Sequence, residues 1–177
     1  MPLDIGVGAL FSLLVSHLFG FHATIFFVLL GILFVLLPDV DIIPIFWRTE
    51  YDHRSFTHYP VIYIPPALLL YVLGGPVYGT LFVLCIFAHF IHDTIGIGWG
   101  VAWLWPFSKR KFLFPERSRR DQYGLFMTWL PEEEKGMAAR WHDPHWIRTY
   151  YLRPNPIAYV EYGILFFSII TLIVYFK

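Results

Sequence analysis

Residues 3–37 read LDIGVGALFSLLVSHLFGFHATIFFVLLGILFVLL, and this run decides the fold because Asp4 is its single charged residue. A membrane-spanning helix needs about 20 mostly apolar residues. The run is therefore too long for one straight span and slightly short for two. Gly20-Phe21-His22 is a plausible turn, so the sequence favours a hairpin of two short helices. One tilted span with an interfacial N-terminal segment is the alternative.

Three further apolar segments follow, at residues 59–74, 77–95 and 157–176. Hydrophobic residues make up 57% of the chain and charged residues 15%, against about 25% charged residues in an ordinary soluble domain. Such a composition indicates an apolar solvent. The predicted fold class is all-α, a polytopic integral membrane helical bundle with four or five spans. It forms a single membrane domain over residues 1–177.

The distribution of basic residues predicts the orientation. Ten of the 13 Lys and Arg residues lie between Lys109 and Arg153. Loops rich in Lys and Arg stay in the cytoplasm, so the loop at about residues 106–156 is predicted to be cytoplasmic. The predicted localisation is the cell (inner) membrane, multi-pass, with membrane lipid as partner. The formal net charge of +0 argues against nucleic acid as a partner. The sequence leaves the oligomeric state open.

Two parts of the region after the fourth span have a recognisable pattern. Pro131 followed by three glutamates predicts the start of a helix that runs to about Trp141, since proline and acids suit the first helical turn. Residues 95–107 alternate glycine with bulky apolar residues and contain a cluster of tryptophans. This composition predicts irregular backbone folded over the membrane surface.

Ionisable residues concentrate at three places beside the predicted spans. Asp39 and Asp41 end the second span, residues 53–58 (HRSFTH) lead into the third, and His89 and Asp93 end the fourth. The second span ends, the third begins and the fourth ends at the same membrane face, so all three places are predicted on that side. His89 and Asp93 are four residues apart and share one side of a helix. Such mixed nitrogen and oxygen donors suit zinc, manganese or iron.

Structural roles compete with this interpretation, because a Pro-Asp pair often forms a turn and a lone histidine is often just hydrogen-bonded. Ionisable groups at membrane depth nevertheless usually mark function, and their convergence favours a site. Asp4 is predicted to be an extra ligand or an N-terminal cap. Packing or interfacial positions are predicted for the remaining residues, which are His17, His22, His142, His145 and Glu161. For His142 and His145 the alternative is a lid or a second metal site.

In this order the motifs resemble the YdjM-like family of predicted membrane-bound metal-dependent hydrolases of bacterial and archaeal inner membranes. That family shows Leu-Leu-Pro-Asp-x-Asp, His-Arg-x-x-Thr-His and His-x-x-x-Asp, followed by a glycine-containing stretch and Pro-Phe. A remoter likeness is to zinc-dependent phospholipase C and P1-type nucleases, which also use a His-x-x-x-Asp pair. The corresponding segments here are residues 36–41, 53–58, 89–93 and 96–107, within a match over about 30–115.

The resemblance implies metal ligands among the Asp and His residues of these motifs. It also shows a departure, because family members often carry a histidine close to the N-terminus, where this chain has Asp4. No family motif is matched beyond about residue 115. The residues that the resemblance brings forward as ligands are Asp39, Asp41, His53, His58, His89 and Asp93.

The sequence thus predicts a membrane-bound metal-dependent hydrolase, acting on a lipid or other phosphoester at the membrane surface. Its cofactor is a divalent metal, zinc first and manganese or iron next. Asp41, which ligates or orients a histidine, and Arg54, which suits an anionic substrate group, are the predicted catalytic residues. The alternative is a non-catalytic membrane protein, a metal or ion transporter or a structural protein. The predicted metal ligands are Asp39, His53, His58, His89 and Asp93.

Overall fold

A computed structural model describes most of the chain, and the described part is mostly helical. The described residues are 2–42, 56–96, 99–115, 124–134, 136 and 145–177. They divide into two compact units. The first contains Met1–Leu37, Ile64–His89 and Ile147–Lys177, and the second contains Pro38–Tyr63 and Phe90–Trp146.

The first unit begins with two helices, α1 at Pro2–Leu18 and α2 at Ile25–Leu36. Thr24 caps α2, because its side-chain oxygen accepts a hydrogen bond from the Phe27 amide at 3.2 Å. Positive φ at Gly20, 71°, lets the chain turn after α1. The structure therefore has the predicted hairpin rather than one tilted helix.

The two helices of the hairpin are antiparallel and in close contact. Gly8 of α1 faces Gly31 of α2, and a Cβ atom on Gly8 would lie 2.7 Å from the Gly31 carbonyl oxygen. One turn further along, the Ser12 hydroxyl donates to the Phe27 carbonyl at 3.2 Å. Small residues allow such an approach of two backbones, as they do between helices in membranes.

Helices α3, at Ile64–Gly74, and α4, at Pro76–Thr94, follow. Gly75 connects them with a φ of 85°, in a Gly-Gly-Pro turn between the apolar segments predicted at 59–74 and 77–95. A short 3-10 helix at Pro60–Tyr63 precedes α3. The predicted span at 59–74 is therefore a 3-10 turn followed by an α-helix.

The last two helices are α5, at Trp146–Tyr150, and α6, at Pro156–Tyr175. Asn155 caps α6 by accepting from the Ala158 amide at 3.0 Å. Helix α6 runs parallel to α1. Near their starts, Glu161 Oε2 accepts from the Leu3 amide at 2.9 Å. At their ends, Tyr175 approaches α1 and the hairpin turn, where its hydroxyl accepts from the Ala23 amide at 2.6 Å.

The apolar helices differ in length and in exposure. Among the described residues, α4 and α6 are long and apolar enough to cross a membrane. Three apolar helical stretches are shorter, at Pro2–Leu18, Ile25–Val40 and Pro60–Gly74, where the last two join α2 and α3 to their neighbouring 3-10 turns. Only 17% of the apolar stretch of α6 is buried. An outward-facing apolar surface of that extent suits lipid contact.

The second unit contains a small sheet that the prediction of an all-α fold missed. Its strands are β1 at Ile95–Gly96, β2 at Lys111–Pro115 and β3 at Met127–Trp129. They lie in the order β1-β2-β3, with β1 parallel and β3 antiparallel to β2. Strands of two to five residues carry too few periods for a pattern to predict them.

The sheet encloses its own small core and one buried ion pair. Leu113, Met127 and Trp129 form the core. Lys111 alternates inward with Leu113, and its Nζ atom lies 2.7 Å from Glu134 Oε1. Residues 131–134 are helical, as predicted from Pro131. The rest of that predicted helix, to about residue 141, lies mostly outside the described residues.

Candidate metal centre

Three of the predicted ligands come together in the second unit. Asp39 lies in the 3-10 helix Leu37–Ile42, His58 ends the 3-10 helix Phe56–His58, and Asp93 lies in the last turn of α4. The side chains of His58 and Asp93 are 1% and 7% exposed, and that of Asp39 is 10% exposed. Imidazole and carboxylate groups are therefore withdrawn from water here.

His58 lies between the two carboxylates. Its Nε2 atom is 3.1 Å from Asp93 Oδ2 and 3.6 Å from Asp39 Oδ1. At zinc–ligand distances of about 2.0–2.2 Å, two ligand atoms at a tetrahedral angle lie about 3.3–3.6 Å apart. The separations of 3.1 and 3.6 Å around His58 Nε2 are close to that range.

His89 is the fourth member of this group. It precedes Asp93 by four residues in the same helix, which places both side chains on one side of α4. His89 is 1% exposed. One candidate ligand atom from each of the four residues lies within 4.8 Å of the other three. Asp39, His58, His89 and Asp93 are called the His-Asp cluster below.

The donor atoms of the His-Asp cluster fit a divalent transition metal. Two imidazole nitrogens and two carboxylate oxygens make a mixed set of the kind that zinc accepts with four ligands. Manganese and iron accept similar donors, so the identity of the metal is not fixed by the set alone. The described residues thus contain a candidate metal-binding site made of Asp and His side chains.

The neighbours of His58 fix its ring. Thr57 Oγ1 lies 3.0 Å from His58 Nδ1, so this nitrogen has a hydrogen-bonding partner on the side away from the carboxylates. The Tyr63 hydroxyl donates to the Thr57 carbonyl at 2.9 Å. The ring of Phe90 packs edge-on against His58 at 6.2 Å between centroids. Such contacts orient a metal-binding histidine and decide which of its nitrogens is presented.

The last turn of α4 is also held by side chains outside the cluster. The Thr94 hydroxyl donates to the Phe90 carbonyl at 2.7 Å and accepts from Trp103 Nε1 at 2.9 Å. Sequence reasoning gave no role to Thr94, Trp103 or Tyr63. Their contacts join residues four to nine positions apart, but they depend on how the chain turns after α4 and before α3, which the apolar pattern does not show. Thr57 belongs to the HRSFTH motif, but its hydrogen bond to His58, the next residue, was not predicted.

The other predicted residues have different outcomes. His53, Arg54 and His142 lie outside the described residues. The backbone of Asp41 is part of the 3-10 helix Leu37–Ile42, but its side chain also lies outside the described part. The roles assigned to these residues remain predictions.

The residues predicted to have packing or interfacial positions, together with Asp4, differ in how far they are buried. His22 packs against Tyr175, with 4.4 Å between ring centroids, in agreement with a packing role. His17 and His145 are exposed. Glu161 is buried rather than interfacial, at 2% exposure. Asp4 is also buried, and its Oδ1 atom lies 3.6 Å from His89 Nδ1.

The apolar helices and the buried His-Asp cluster define an integral membrane protein with a candidate metal site. The chain belongs to the YdjM inner membrane protein family, whose family model matches residues 4–176. This membership places it in the inner membrane, as the sequence predicted.

One curated relative extends the comparison. The chain is similar to the inner membrane protein YbcI of Escherichia coli (strain K12), with 30% identity over 97 residues. The match covers 48% of this chain and 56% of that protein, little more than half the length of the relative. No solved structure matches the chain.

Proposed function

We propose that this protein is a membrane-bound metal-dependent hydrolase acting on a phosphoester at the level of the lipid headgroups. The observation that supports it most is the His-Asp cluster, in which four donor atoms lie within 4.8 Å of one another. Burial of carboxylates and imidazoles is costly unless they are paired or bind a cation. A divalent ion would offset that cost for all four groups together.

Asp39, His58, His89 and Asp93 would hold the ion, and zinc is our first choice because it takes such donors with four ligands. A bound divalent ion acts as a Lewis acid and lowers the pKa of a bound water to near neutrality. The residues around the ion would orient its ligands and exclude bulk water. Thr57 fixes the ring of His58, and the burial of the cluster keeps bulk water away from its charges.

Three further roles are proposed from the sequence. His53 is a fifth ligand from the same HRSFTH motif. Asp41 is a ligand or orients a ligand histidine. Arg54 binds an anionic group of the substrate, because a guanidinium forms two parallel hydrogen bonds with a phosphate.

The proposed setting is a bundle of four or five spans with the site at its cytoplasmic face. The shorter apolar helices suit tilted or short spans in such a bundle. Basic residues of the loop at about 106–156 would surround the site. A lipid phosphoester is therefore the substrate class that we favour.

The experiment combines metal analysis with an activity assay. Protein purified in detergent without chelator is analysed for zinc, manganese and iron by mass spectrometry. It is then assayed on phospholipid vesicles and on a soluble phosphodiester. We expect a stoichiometric divalent metal and metal-dependent release of phosphate-containing product.

Variants show whether the metal resides in the cluster. His89→Ala and Asp93→Ala should lose the metal and the activity while remaining in the membrane, because apolar helices drive insertion. Ser168→Ala is the matched control, since Ser168 is buried in α6 and donates to the Leu165 carbonyl within its own helix. Wild-type protein that holds no transition metal and binds none on titration would contradict the proposal. Bound metal without hydrolysis of any phosphoester would support the non-catalytic alternative.

A further inference from the structure

Two buried acids lie outside the His-Asp cluster, at the end of the first unit where α1 and α6 begin. Asp4 and Glu161 are each 2% exposed. Both belong to the first unit, as does His89. Buried carboxylates of this kind require partners. Their partners show what these two residues do.

Glu161 anchors the first turn of α1. Its Oε2 atom accepts from the Leu3 amide at 2.9 Å, and its Oε1 atom lies 3.4 Å from the Tyr151 hydroxyl. The amides of a first helical turn lack partners within the helix, and negative charge is favoured there. Glu161 therefore ties the start of α1 to α6 and fixes the position of the residue next to Leu3, which is Asp4.

Asp4 is directed at one edge of the His89 ring. Its Oδ1 atom lies 3.6 Å from His89 Nδ1, about 0.6 Å beyond the usual length of a hydrogen bond from nitrogen to oxygen. A small side-chain movement would close that gap. Asp4 does not belong to the group of four described residues whose donor atoms lie within 4.8 Å of one another.

An imidazole has two nitrogens, and the partner of one decides the role of the other. Metal-binding histidines commonly donate their second ring N–H to a carboxylate, which fixes the tautomer and the ring orientation. We infer that Asp4 is a positioning residue that holds the Nδ1–H of His89, so that Nε2 is the atom presented to the metal. This inference rests on the proposed metal site.

Zinc affinity and ligand number test the inference together. Zinc affinity is measured by competition with a chelator, and the number of ligands is counted by X-ray absorption spectroscopy. Asp4→Asn should weaken zinc binding about tenfold. Asp4→Leu, which removes the acceptor at similar volume, should weaken it further, up to about 100-fold, with an unchanged number of ligands. Ser16→Ala is the control, because Ser16 is buried at the far end of the same helix and donates to the Leu13 carbonyl.

The tautomer of His89 is a second readout, which a purely structural role would not change. Nitrogen-15 spectra of histidine-labelled protein, with the His89 signals assigned by their absence in His89→Ala, should show the Nδ1–H tautomer in the wild type. In Asp4→Leu the preference for this tautomer should be reduced. This measurement needs folded protein but does not need enzymatic activity.

The outcomes separate this inference from the proposed function. Wild-type protein that never binds zinc would overturn the proposed function. If the wild type binds zinc and both Asp4 variants bind it equally well, the inference alone is wrong. If Asp4→Leu has one oxygen ligand fewer than the wild type, Asp4 is itself a ligand and the inference is wrong for that reason.

Discussion

In the proposed metal site, the ring of His58 is already oriented by its neighbours. Its Nδ1 faces the Thr57 hydroxyl and its Nε2 lies between the carboxylates of Asp39 and Asp93. The two nitrogens therefore have separate environments. A histidine whose two nitrogens had similar surroundings would be fixed in tautomer and orientation only when the metal binds, and this ordering would lower the affinity for the metal.

The hydrogen bond between Thr57 and His58 can be tested by itself. Thr57→Val keeps the shape of the side chain and removes the hydroxyl, so we expect about a tenfold loss of zinc affinity, measured by chelator competition. Thr171→Val is the matched control, because the Thr171 hydroxyl bonds to the Phe167 carbonyl in α6 and is exposed. Equal affinity of Thr57→Val and the wild type would show that the ring of His58 is held by packing alone.

Contacts between site residues could be predicted from the sequence where the residues are close together in one helix or belong to a recognised motif. The pairing of His89 with Asp93 follows from helical spacing, and the two residues do lie in one helix. The meeting of Asp39 with His58 followed from membrane topology and from the family motifs. The contact of Trp103 with Thr94 depends on how the chain folds back after α4, and residue spacing contains no information about that.

Among the elements, the hairpin of α1 and α2 depends on a contact between two glycines. A Cβ atom on Gly31 would meet Ser12 Oγ and would lie 2.6 Å from the Gly8 carbonyl oxygen. Neither backbone can move away without separating the helices. The contact also brings the start of α1, with Asp4, to the end of the unit where His89 lies.

Substitution of Gly31 should therefore destabilise the hairpin. We expect Gly31→Ala to lower the free energy of unfolding by about 1–3 kcal/mol, because overpacking at a close contact forces a backbone shift. Thermal and denaturant unfolding in detergent would measure it. Gly163→Ala is the matched control, since no heavy atom lies within 4 Å of its added Cβ atom in α6. Alanine there should be neutral or stabilising by about 1 kcal/mol. Equal stability of the two variants would contradict a close contact at Gly31.

The long apolar helices α1, α2, α3, α4 and α6 were predictable because each extends over several turns of apolar sequence, whereas the short helix α5 and the sheet were not. In strand β2 the charged Lys111 is buried on the same face as Leu113, whereas the usual alternating pattern has apolar residues on the buried face and polar residues on the exposed face. The Lys111 ammonium is buried because Glu134, 23 residues later, pairs with it. A pattern that depends on so distant a partner cannot be read from a short window of sequence.

Across the whole molecule, the order of the helices in the first unit constrains the topology. Within this unit, His89 of α4 lies beside Asp4 and α6 begins beside Leu3, so α4 leaves the unit and α6 begins at the same end of it. The opposite end holds the hairpin turn, where Ala23 contacts Tyr175. If this unit crosses the membrane, the chain between α4 and α6 lies on one side and the C-terminus on the other.

The basic residues then assign the sides. Ten of the 13 Lys and Arg residues lie between Lys109 and Arg153, and only Lys177 follows them. By the positive-inside rule, we expect the segment with ten basic residues in the cytoplasm and the C-terminus outside. Cys85 is the single cysteine and is buried in α4, so the wild-type chain provides a low background for thiol labelling.

Labelling in intact cells with a membrane-impermeant thiol reagent tests this orientation. Ser118→Cys, in the basic segment and outside the described residues, should remain unlabelled until the cells are opened. Lys177→Cys should label in intact cells, because the C-terminus faces outward in the same topology. Labelling of Ser118→Cys from outside would reverse the orientation and place the proposed site at the outer face. The grouping of Asp39, His58, His89 and Asp93 would be unaffected, because it depends on how the chain folds and not on the direction in which the bundle is inserted.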